Sequence, residues 1–412
     1  MTRPEPGQPA SVRGGSPDLP HGSVWSAPGM IALAFVAFTG FSGYAALLPA
    51  APLYVVREGS ADSAGAGAVN FVLLGATVAT QFAVPWLIRR FGWGPVLAAG
   101  MVLMGVPSLL HPLTVDLAPT LGLSAVRGVG FGILTVAGSA AAVLLVDPRR
   151  RGAAVGAYSL ALSVPNVLLM PSGGWIGDTW GFWPVFLLGA VPLLGIPACF
   201  ALGPHLPERS THAPDEPDTP DAPAGRSTYL RLVPPSLILL TVTLAGGAII
   251  TFAPQMVAVP WLSALGLFAF GLTSTLTRWW IGAFSDRVGV DKLLWPFVLL
   301  IVLGLLGVAW VVRTPVGMGH LVLWAAACGI VGLGYGALQN LTMLQAFAAA
   351  GPRRVGAASA VWNAGFDTGT GSGALLVGAV ALATGFGPAM ALTAVLCLLA
   401  LPAALRSGFR QR

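Results

Sequence analysis

The stretch Arg127-Gly-Val-Gly-Phe-Gly-Ile-Leu134 returns later in the chain as Val331-Gly-Leu-Gly-Tyr-Gly-Ala-Leu338. Each copy leads to a similar basic loop, Pro148-Arg-Arg-Arg-Gly-Ala-Ala or Pro352-Arg-Arg-Val-Gly-Ala-Ala, and both Gly128 to Gly332 and Pro148 to Pro352 are offset by 204 residues. Because each copy lies on an apolar run long enough to cross a bilayer, the repeat predicts a membrane chain built from two like halves.

The composition requires lipid as the solvent. The 412 residues are 55% hydrophobic and 9% charged, whereas soluble domains carry about 25% charged residues. So few charges could not keep a soluble surface hydrated, which excludes a large soluble enzyme.

Twelve apolar runs approach the ~20 residues that a helix rising 1.5 Å per residue needs to cross the hydrocarbon. Helices are expected because every backbone amide in lipid needs an internal partner. The predicted spans are 28–52, 64–87, 93–112, 119–145, 152–176, 183–203, 234–254, 259–281, 293–312, 320–347, 356–382 and 386–405.

Six predicted spans lie on each side of a Pro-rich, acidic segment that cannot build a core. The expected organisation is a disordered cytoplasmic tail at 1–27, a six-helix bundle at 28–203, a cytoplasmic linker at 204–233, a second six-helix bundle at 234–405 and a cytoplasmic tail at 406–412.

The basic residues orient the chain. Of 21 Lys and Arg, two (Arg57 and Arg313) fall on one predicted side and two (Arg127 and Arg278) within spans, which leaves 17 on the side of the linker. This positive-inside bias predicts a multi-pass protein of a bacterial inner membrane with both termini in the cytoplasm. It is not the clustered pattern of a nucleic-acid-binding surface.

No catalytic cluster, metal-ligand spacing or phosphate-binding loop is evident, so we expect no enzyme activity, no metal and no cofactor. Small residues recur at four-residue spacing within the spans, which lets helix backbones approach closely. These are Gly128 and Gly132, Gly332 and Gly336, and Gly365, Gly369 and Gly373.

The residues after the eighth span carry a family resemblance. The run Gly282-Ala-Phe-Ser-Asp286-Arg287-Val-Gly289 resembles the loop motif Gly-x-x-x-Asp-Arg-x-Gly of the major facilitator superfamily, although Val290 and Asp291 replace basic positions. The first-half copy, Arg89-Arg90-Phe91-Gly92, has lost the acid. The resemblance implies the superfamily fold over residues 28–405 and a cytoplasmic gating loop whose Asp286 and Arg287 contact neighbouring helix ends.

Two further features resemble the proton antiporters of that superfamily only in part. Arg127 matches the position of their intramembrane arginine, but Gly130 stands where the motif has glutamine. In the fifth span, Met170-Pro-Ser-Gly-Gly174 is similar to the antiporter motif and lacks its first glycine.

Three ionisable side chains lie deep in predicted spans, where a charge costs about 2.5–3.5 kcal/mol to insert. Asp367 is the one acid among them, roughly 16 Å from the start of its span at 1.5 Å per residue. We predict that Asp367 carries the coupled proton and that Arg127 modulates it. A static ion pair between the two, or a substrate anchor at Asp367, are the alternatives. Arg278 is expected to snorkel to the surface or contact the gating loop.

Polar and aromatic side chains within the spans are the candidates for a substrate cavity. The resemblance implies that the first, fourth, seventh and tenth spans line it, which ranks Asn70 and Gln81 of the second span lower. Each candidate could instead be an interhelical hydrogen bond or a packing contact. The predicted cavity residues are Asn363, Trp362, Gln339, Asn340, Tyr44, Tyr335, Asn166 and Phe131.

Two like halves in a membrane are typical of secondary transporters, whose substrate site lies between the repeats. The sequence therefore predicts a monomeric carrier that works by alternating access and exports a small hydrophobic organic compound in exchange for protons. The alternatives are a proton symporter or facilitator that imports a metabolite, and a non-transporting membrane sensor or assembly protein. The expected partners are the small-molecule substrate, protons and the lipid bilayer, without nucleic acid.

Overall fold

The computed structural model describes residues 23–147, 150–207, 226–314, 318–351 and 354–409, and all regular structure within those ranges is helical. Most of the predicted tail at 1–27 and of the predicted linker lies outside the described residues.

Fifteen α-helices occupy the described part of the chain. They are α1 Met30–Arg57, α2 Ser63–Gln81, α3 Val84–Phe91, α4 Trp93–Leu110, α5 Leu117–Leu144, α6 Arg151–Trp180, α7 Trp183–Gly189, α8 Ile196–Leu202, α9 Arg226–Met256, α10 Pro260–Val288, α11 Val290–Val311, α12 Met318–Ala350, α13 Val355–Thr384, α14 Phe386–Leu398 and α15 Leu401–Phe409.

Three of the predicted spans are each divided into two helices, which explains fifteen helices for twelve spans. The second is α2 and α3, the sixth is α7 and α8, and the twelfth is α14 and α15. A proline stands in the first turn where each second helix begins, at Pro85, Pro197 and Pro402. Proline fits a first turn because the amide hydrogen it lacks would have no partner there.

Eleven segments of the described residues are long and apolar enough to cross a membrane. The eighth expected span, which corresponds to Pro260–Val288, is not among them, although its 29 residues are sufficient in length. It carries Arg278, Asp286 and Arg287. The prediction of an all-α membrane protein of about twelve spans is confirmed.

Two helix ends differ from the sequence prediction. Helix α9 begins at Arg226, inside the segment predicted as linker to residue 233, because Pro234 and Pro235 stand within the helix rather than at its start. Helix α15 continues to Phe409, past the predicted end of the last span at residue 405.

The repeated glycines bring two helix pairs into backbone contact. In the first half, α5 lies on α2: a Cβ at Gly128 would overlap the carbonyl of Leu73, and one at Gly132 would lie 2.7 Å from the carbonyl oxygen of Thr77. Only glycine permits this approach.

The second half repeats the contact. A Cβ at Gly332 would overlap the carbonyl of Phe270, and one at Gly336 would overlap that of Ser274, so that α12 lies on α10. The glycines are offset from the first half by 204 residues, and the carbonyls that they meet by 197. Constant offsets for both partners identify the two halves as structural repeats.

The shortest connections between helices also recur in the two halves, at the same offsets of 197 and 204 residues. Gly92 joins α3 to α4 and Gly289 joins α10 to α11, with φ of 85° and 96°. Gly181 and Gly385 make the equivalent connections after α6 and α13, with φ of 86° and 82°. Positive φ favours glycine, since it has no Cβ to clash.

The ends of the bundle form two faces. The face where α1 begins also carries the connections at Gly92 and Gly289, with Arg89 and Arg287 beside them, and is termed the arginine-rich face. The face where α1 ends, with Gly181 and Gly385, is termed the opposite face.

The two halves meet where α2 packs on α13, α6 on α10 and α1 on α9. Near the opposite face, the Ser63 hydroxyl donates to the carbonyl of Gly378 at 2.8 Å, and a Cβ at Gly67 would overlap the carbonyl of Ala374. At mid-depth, a Cβ at Gly271 would lie 3.7 Å from Val167. We call this contact between halves the seam.

Gly336→Ala tests the glycine contact. The added methyl would meet the carbonyl of Ser274, and overpacking typically costs 1–3 kcal/mol. We expect the detergent-solubilised variant to unfold several degrees below the wild type in a thermal-shift assay.

The matched control is Gly75→Ala on α2, where no atom lies within 4 Å of the new methyl. Alanine favours a helix interior over glycine by roughly 0.5–1 kcal/mol, so this variant should be at least as stable as the wild type. Equal behaviour of the two variants would contradict the glycine contact.

Candidate functional site

Asp367 lies at the seam, in the middle of the bundle. It stands twelve residues after Val355, about 18 Å from the arginine-rich end of α13 at 1.5 Å per residue. Only 5% of the residue is exposed. The Gln81 side chain of α2 donates from Nε2 to Asp367 Oδ2 at 2.7 Å, so this hydrogen bond joins the two halves.

Two tyrosines lie within electrostatic reach of the Asp367 carboxyl group. Tyr44 comes from α1 and Tyr335 from α12, and both are buried. The hydroxyl of Thr370, one turn after Phe366 on α13, donates to the carbonyl of Phe366 at 2.9 Å. The acid therefore has polar groups of both halves around it.

Arg127 is 1% exposed and does not meet Asp367 in an ion pair. Its Nη2 donates to the carbonyl of Gly43 at 3.1 Å, and its buried Nε has no partner within the described residues. The one ion pair in the described ranges joins Arg57 and Asp178 near the opposite face. Arg127 and Asp367 therefore do not form the static ion pair that was one of the alternatives for this site.

Aromatic rings from each half flank the site. In the first half, Tyr44 and Phe131 stack with centroids 3.8 Å apart. In the second, Trp362 stacks on Phe366 at 5.5 Å, and Tyr335 lies 6.3 Å from the same ring. All of these rings except the half-buried Phe366 are buried in this arrangement, and their area contributes to packing within each half.

Arg278 is exposed, but its guanidinium group turns to Gln339 of α12 rather than snorkelling toward the arginine-rich face. It stands ten residues before the end of α10, about 15 Å from the arginine-rich face at 1.5 Å per residue. Its Nη1 donates sideways to Oε1 of Gln339 at 3.2 Å, and Asn340 Nδ2 donates to the Arg278 carbonyl at 3.1 Å. Asn340 thus forms an interhelical hydrogen bond, which was the alternative to a role in lining the cavity.

Two predicted cavity asparagines hydrogen-bond within their own helices. Asn166 donates to the carbonyl of Leu162 at 2.8 Å, and the exposed Asn363 donates to the carbonyl of Ser359 at 2.9 Å. The structure does not link either to Asp367 through a hydrogen bond, and their cavity role stays a prediction.

The predicted gating loop is mostly helical. Gly282 and Asp286–Arg287 belong to α10, and Gly289 alone connects α10 to α11. Within the described ranges, the exposed Asp286 and Arg287 make no hydrogen bond or ion pair. Asp291, which departs from the motif, accepts a hydrogen bond from Gln345 of α12 at 3.1 Å. A gating role for the motif stays a prediction.

Gln81 is the site residue that the sequence ranked too low. A second polar residue of α2, Asn70, donates to the carbonyl of Leu48 at 2.8 Å and to Thr251 Oγ1 at 2.9 Å, and so also crosses the seam. Eleven residues separate Asn70 from Gln81, about three helical turns, which places them on one face. This spacing was the signal in the sequence that α2 carries polar side chains on one face.

Within the described residues, no group of three or more His, Cys, Asp or Glu side chains could hold a metal ion.

Comparison with known structures identifies the same fold in transporters. The chain superposes on a bacterial homologue of the human lysosomal transporter Spinster in an inward-facing, unoccupied conformation, with a TM-score of 0.74, 15% identity and coverage of 92% of this chain and 96% of that one. The nucleoside transporter NupG gives a TM-score of 0.70 at 13% identity, covering 92% and 99%. A peptide transporter, POT, in complex with sulfate also gives 0.70, at 16% identity, covering 93% and 95%. Identities this low establish the fold alone.

Sequence comparison identifies the family. An uncharacterised MFS-type transporter of Mycobacterium tuberculosis (strain CDC 1551 / Oshkosh) is 31% identical over 156 residues, which is 37% of this chain and 22% of that protein. The match therefore spans about a fifth of the relative's length. Residues 33–363 match the sequence profile of the Major Facilitator Superfamily, and the chain belongs to that superfamily of multi-pass membrane transporters.

Proposed function

We propose that the protein is a proton-coupled transporter that exports a small, mainly apolar organic compound by alternating access. The observation that carries the proposal is the hydrogen bond between Gln81 and Asp367, which joins the two halves at mid-depth through a buried acid.

Asp367 is suited to bind and release a proton. Its carboxyl group accepts from a neutral amide and forms no ion pair within the described residues. A buried ion without a countercharge is costly, whereas a protonated carboxyl carries no charge into the bundle. Tyr44 and Tyr335 supply nearby dipoles rather than a fixed positive charge.

The bond to Gln81 links the proton to the movement of the halves. A hydrogen bond to an ionised carboxylate is stronger than one to a neutral carboxyl group. This bond offsets only part of the cost of burying a carboxylate that has no ion pair within the described residues. Protonation therefore favours the arrangement described here, in which α2 and α13 are in contact, and ionisation favours an arrangement that hydrates the acid. The two conformations then bind the proton with different affinities, which is the requirement for coupling.

The aromatic rings beside the acid support an apolar cargo. Phe131 with Tyr44 and Phe366 with Trp362 present rings from opposite halves. Rocking of the halves would change their separation and so alternate the access of a compound held between them.

The proposal places the arginine-rich face in the cytoplasm of a bacterium, with both termini on that side of the inner membrane and the carrier as a monomer. The arginine-rich loops support this orientation through the positive-inside rule. The proposed linker at 204–233 then connects bundles 28–203 and 234–405 in the cytoplasm, and residues Gly282–Gly289 would act there as a gate.

A second candidate is import of an organic metabolite together with a proton. Arg278 favours it, because an arginine at mid-depth suits an acidic metabolite. Cells that overproduce the protein separate the two candidates: an exporter raises tolerance to its substrates, and an importer raises sensitivity.

Asp367→Asn should abolish transport driven by an imposed pH gradient in proteoliposomes while leaving substrate exchange without a gradient largely intact. The amide keeps the shape and a hydrogen bond to Gln81 but cannot bind a proton. The compound used is one whose tolerance changes on overproduction, and its radiolabelled flux is the measurement.

Glu58→Gln is the matched control, an acid-to-amide change at the end of α1 near the opposite face. It should transport like the wild type. Normal gradient-driven flux by Asp367→Asn would rule out the proton-carrier role.

Gln81→Leu and Asp367→Leu should be non-additive in stability because both remove the same hydrogen bond. A double-mutant cycle measured by denaturant unfolding in detergent should give a coupling of about 1 kcal/mol. Additive effects would show that the two side chains do not interact.

A further inference from the structure

Arg278 has an unused hydrogen-bonding capacity at the seam. A guanidinium group carries five donor hydrogens in a planar fork. One bond is formed by this group, from Nη1 to the neutral Gln339 side chain, and no carboxylate pairs with it within the described residues. Most of the donors of a mid-depth cation therefore remain available.

The side chain lies on the seam face of α10. Gly271, which approaches Val167 of α6, stands seven residues earlier, and a separation of seven residues places two positions on one helix face. Seven residues before Val167, Leu160 of α6 is 59% exposed, and Arg278 is itself exposed. The helices that touch at Gly271 therefore leave these two residues uncovered nearer the arginine-rich face.

The packing of α12 on α10 does not require the charge of Arg278. α12 already lies on α10 through Gly332 and Gly336, and Asn340 ties the same helices by bonding the Arg278 backbone. Gln339, the partner of the guanidinium, is 3% exposed and uncharged. A neutral side chain could bond to Gln339 without the cost of placing an arginine at this depth.

Arg278 and Asp367, the proposed proton site, lie at similar depth in the bundle. The two residues lie about 15 Å and about 18 Å from the same face at 1.5 Å per residue. Tyr335 stands within electrostatic reach of both. From Tyr335 the rings continue to Phe366 and Trp362.

We propose that Arg278 binds the anionic head group of the transported compound, so that the substrate class is an organic monoanion such as a carboxylate with an apolar body. This rests on the proposed transport function and deepens it. A carboxylate matches the planar fork of a guanidinium and can accept two hydrogen bonds from it. The apolar body then lies along Tyr335, Phe366 and Trp362.

Three probes with one apolar body test the head group: 3-phenylpropanoate, 3-phenylpropanol and 3-phenylpropylamine. Binding to the full-length protein in detergent is followed by tryptophan fluorescence and thermal shift, without any pH gradient. We expect the wild type to bind the carboxylate at least about tenfold more tightly than the alcohol or the amine.

Arg278→Gln should lose that preference, and Arg278→Lys should keep part of it, because lysine retains the charge and lacks the fork. Arg89→Gln, which removes an exposed arginine at the arginine-rich face, is the control and should bind like the wild type. The lysine variant preserves the test if the glutamine variant fails to fold.

Equal binding of the three probes, no binding of the carboxylate at millimolar concentration, or an unchanged preference in Arg278→Gln would overturn the proposal. Asp367→Asn should retain the carboxylate preference, since binding here needs no gradient. The Asp367→Asn and Arg278→Gln variants therefore distinguish a failure of the proposed proton coupling from a failure of the proposed anion site.

Discussion

Backbone contact between helices at glycine holds each half of the bundle together. In lipid, helices gain little from burying apolar side chains, and close packing of backbones supplies much of the attraction. Gly128 and Gly132 provide it for α5 on α2, and Gly332 and Gly336 for α12 on α10. The middle glycine of each repeat contacts another neighbouring helix. In the first half, a Cβ at Gly130 would lie 2.7 Å from the carbonyl oxygen of Gly100 in α4. One short motif thus fixes three helices of each half.

The same contacts position the chemistry. With α2 held against α5, Gln81 is carried to the seam, where it meets Asp367 of the other half. With α12 held against α10, Gln339 lies beside Arg278. Tyr335 fits against α9 because a Cβ at Gly246 would overlap its ring. A polar site forms between two bundles that also meet through small residues such as Gly67 and Gly271, which suits a seam that opens and closes.

Much of the fold follows from the sequence, because length, hydropathy and a 204-residue repeat are local properties. The breaks in three spans were not predicted, since a proline inside an apolar run can also be tolerated, as it is at Pro171 in α6. The gating motif was read as a loop because its residues are polar, whereas Gly289 alone makes the turn. Asp367 and Arg278 were singled out by burial cost, but their pairing with Gln81 and Gln339 was not predicted. Which side chains meet across a seam depends on helix rotation and register, and a single sequence does not encode these locally.

In the proposed mechanism, protonation of the buried Asp367 shifts the balance between two arrangements of the halves. Spin labels attached at Arg151→Cys on α6 and Phe284→Cys on α10, both exposed positions near the arginine-rich face, report the separation of the halves by double electron–electron resonance. We expect two distance populations whose ratio changes with pH in the wild-type background and is insensitive to pH in the Asp367→Asn background. A single distance at every pH, or a pH response that survives without the acid, would contradict it.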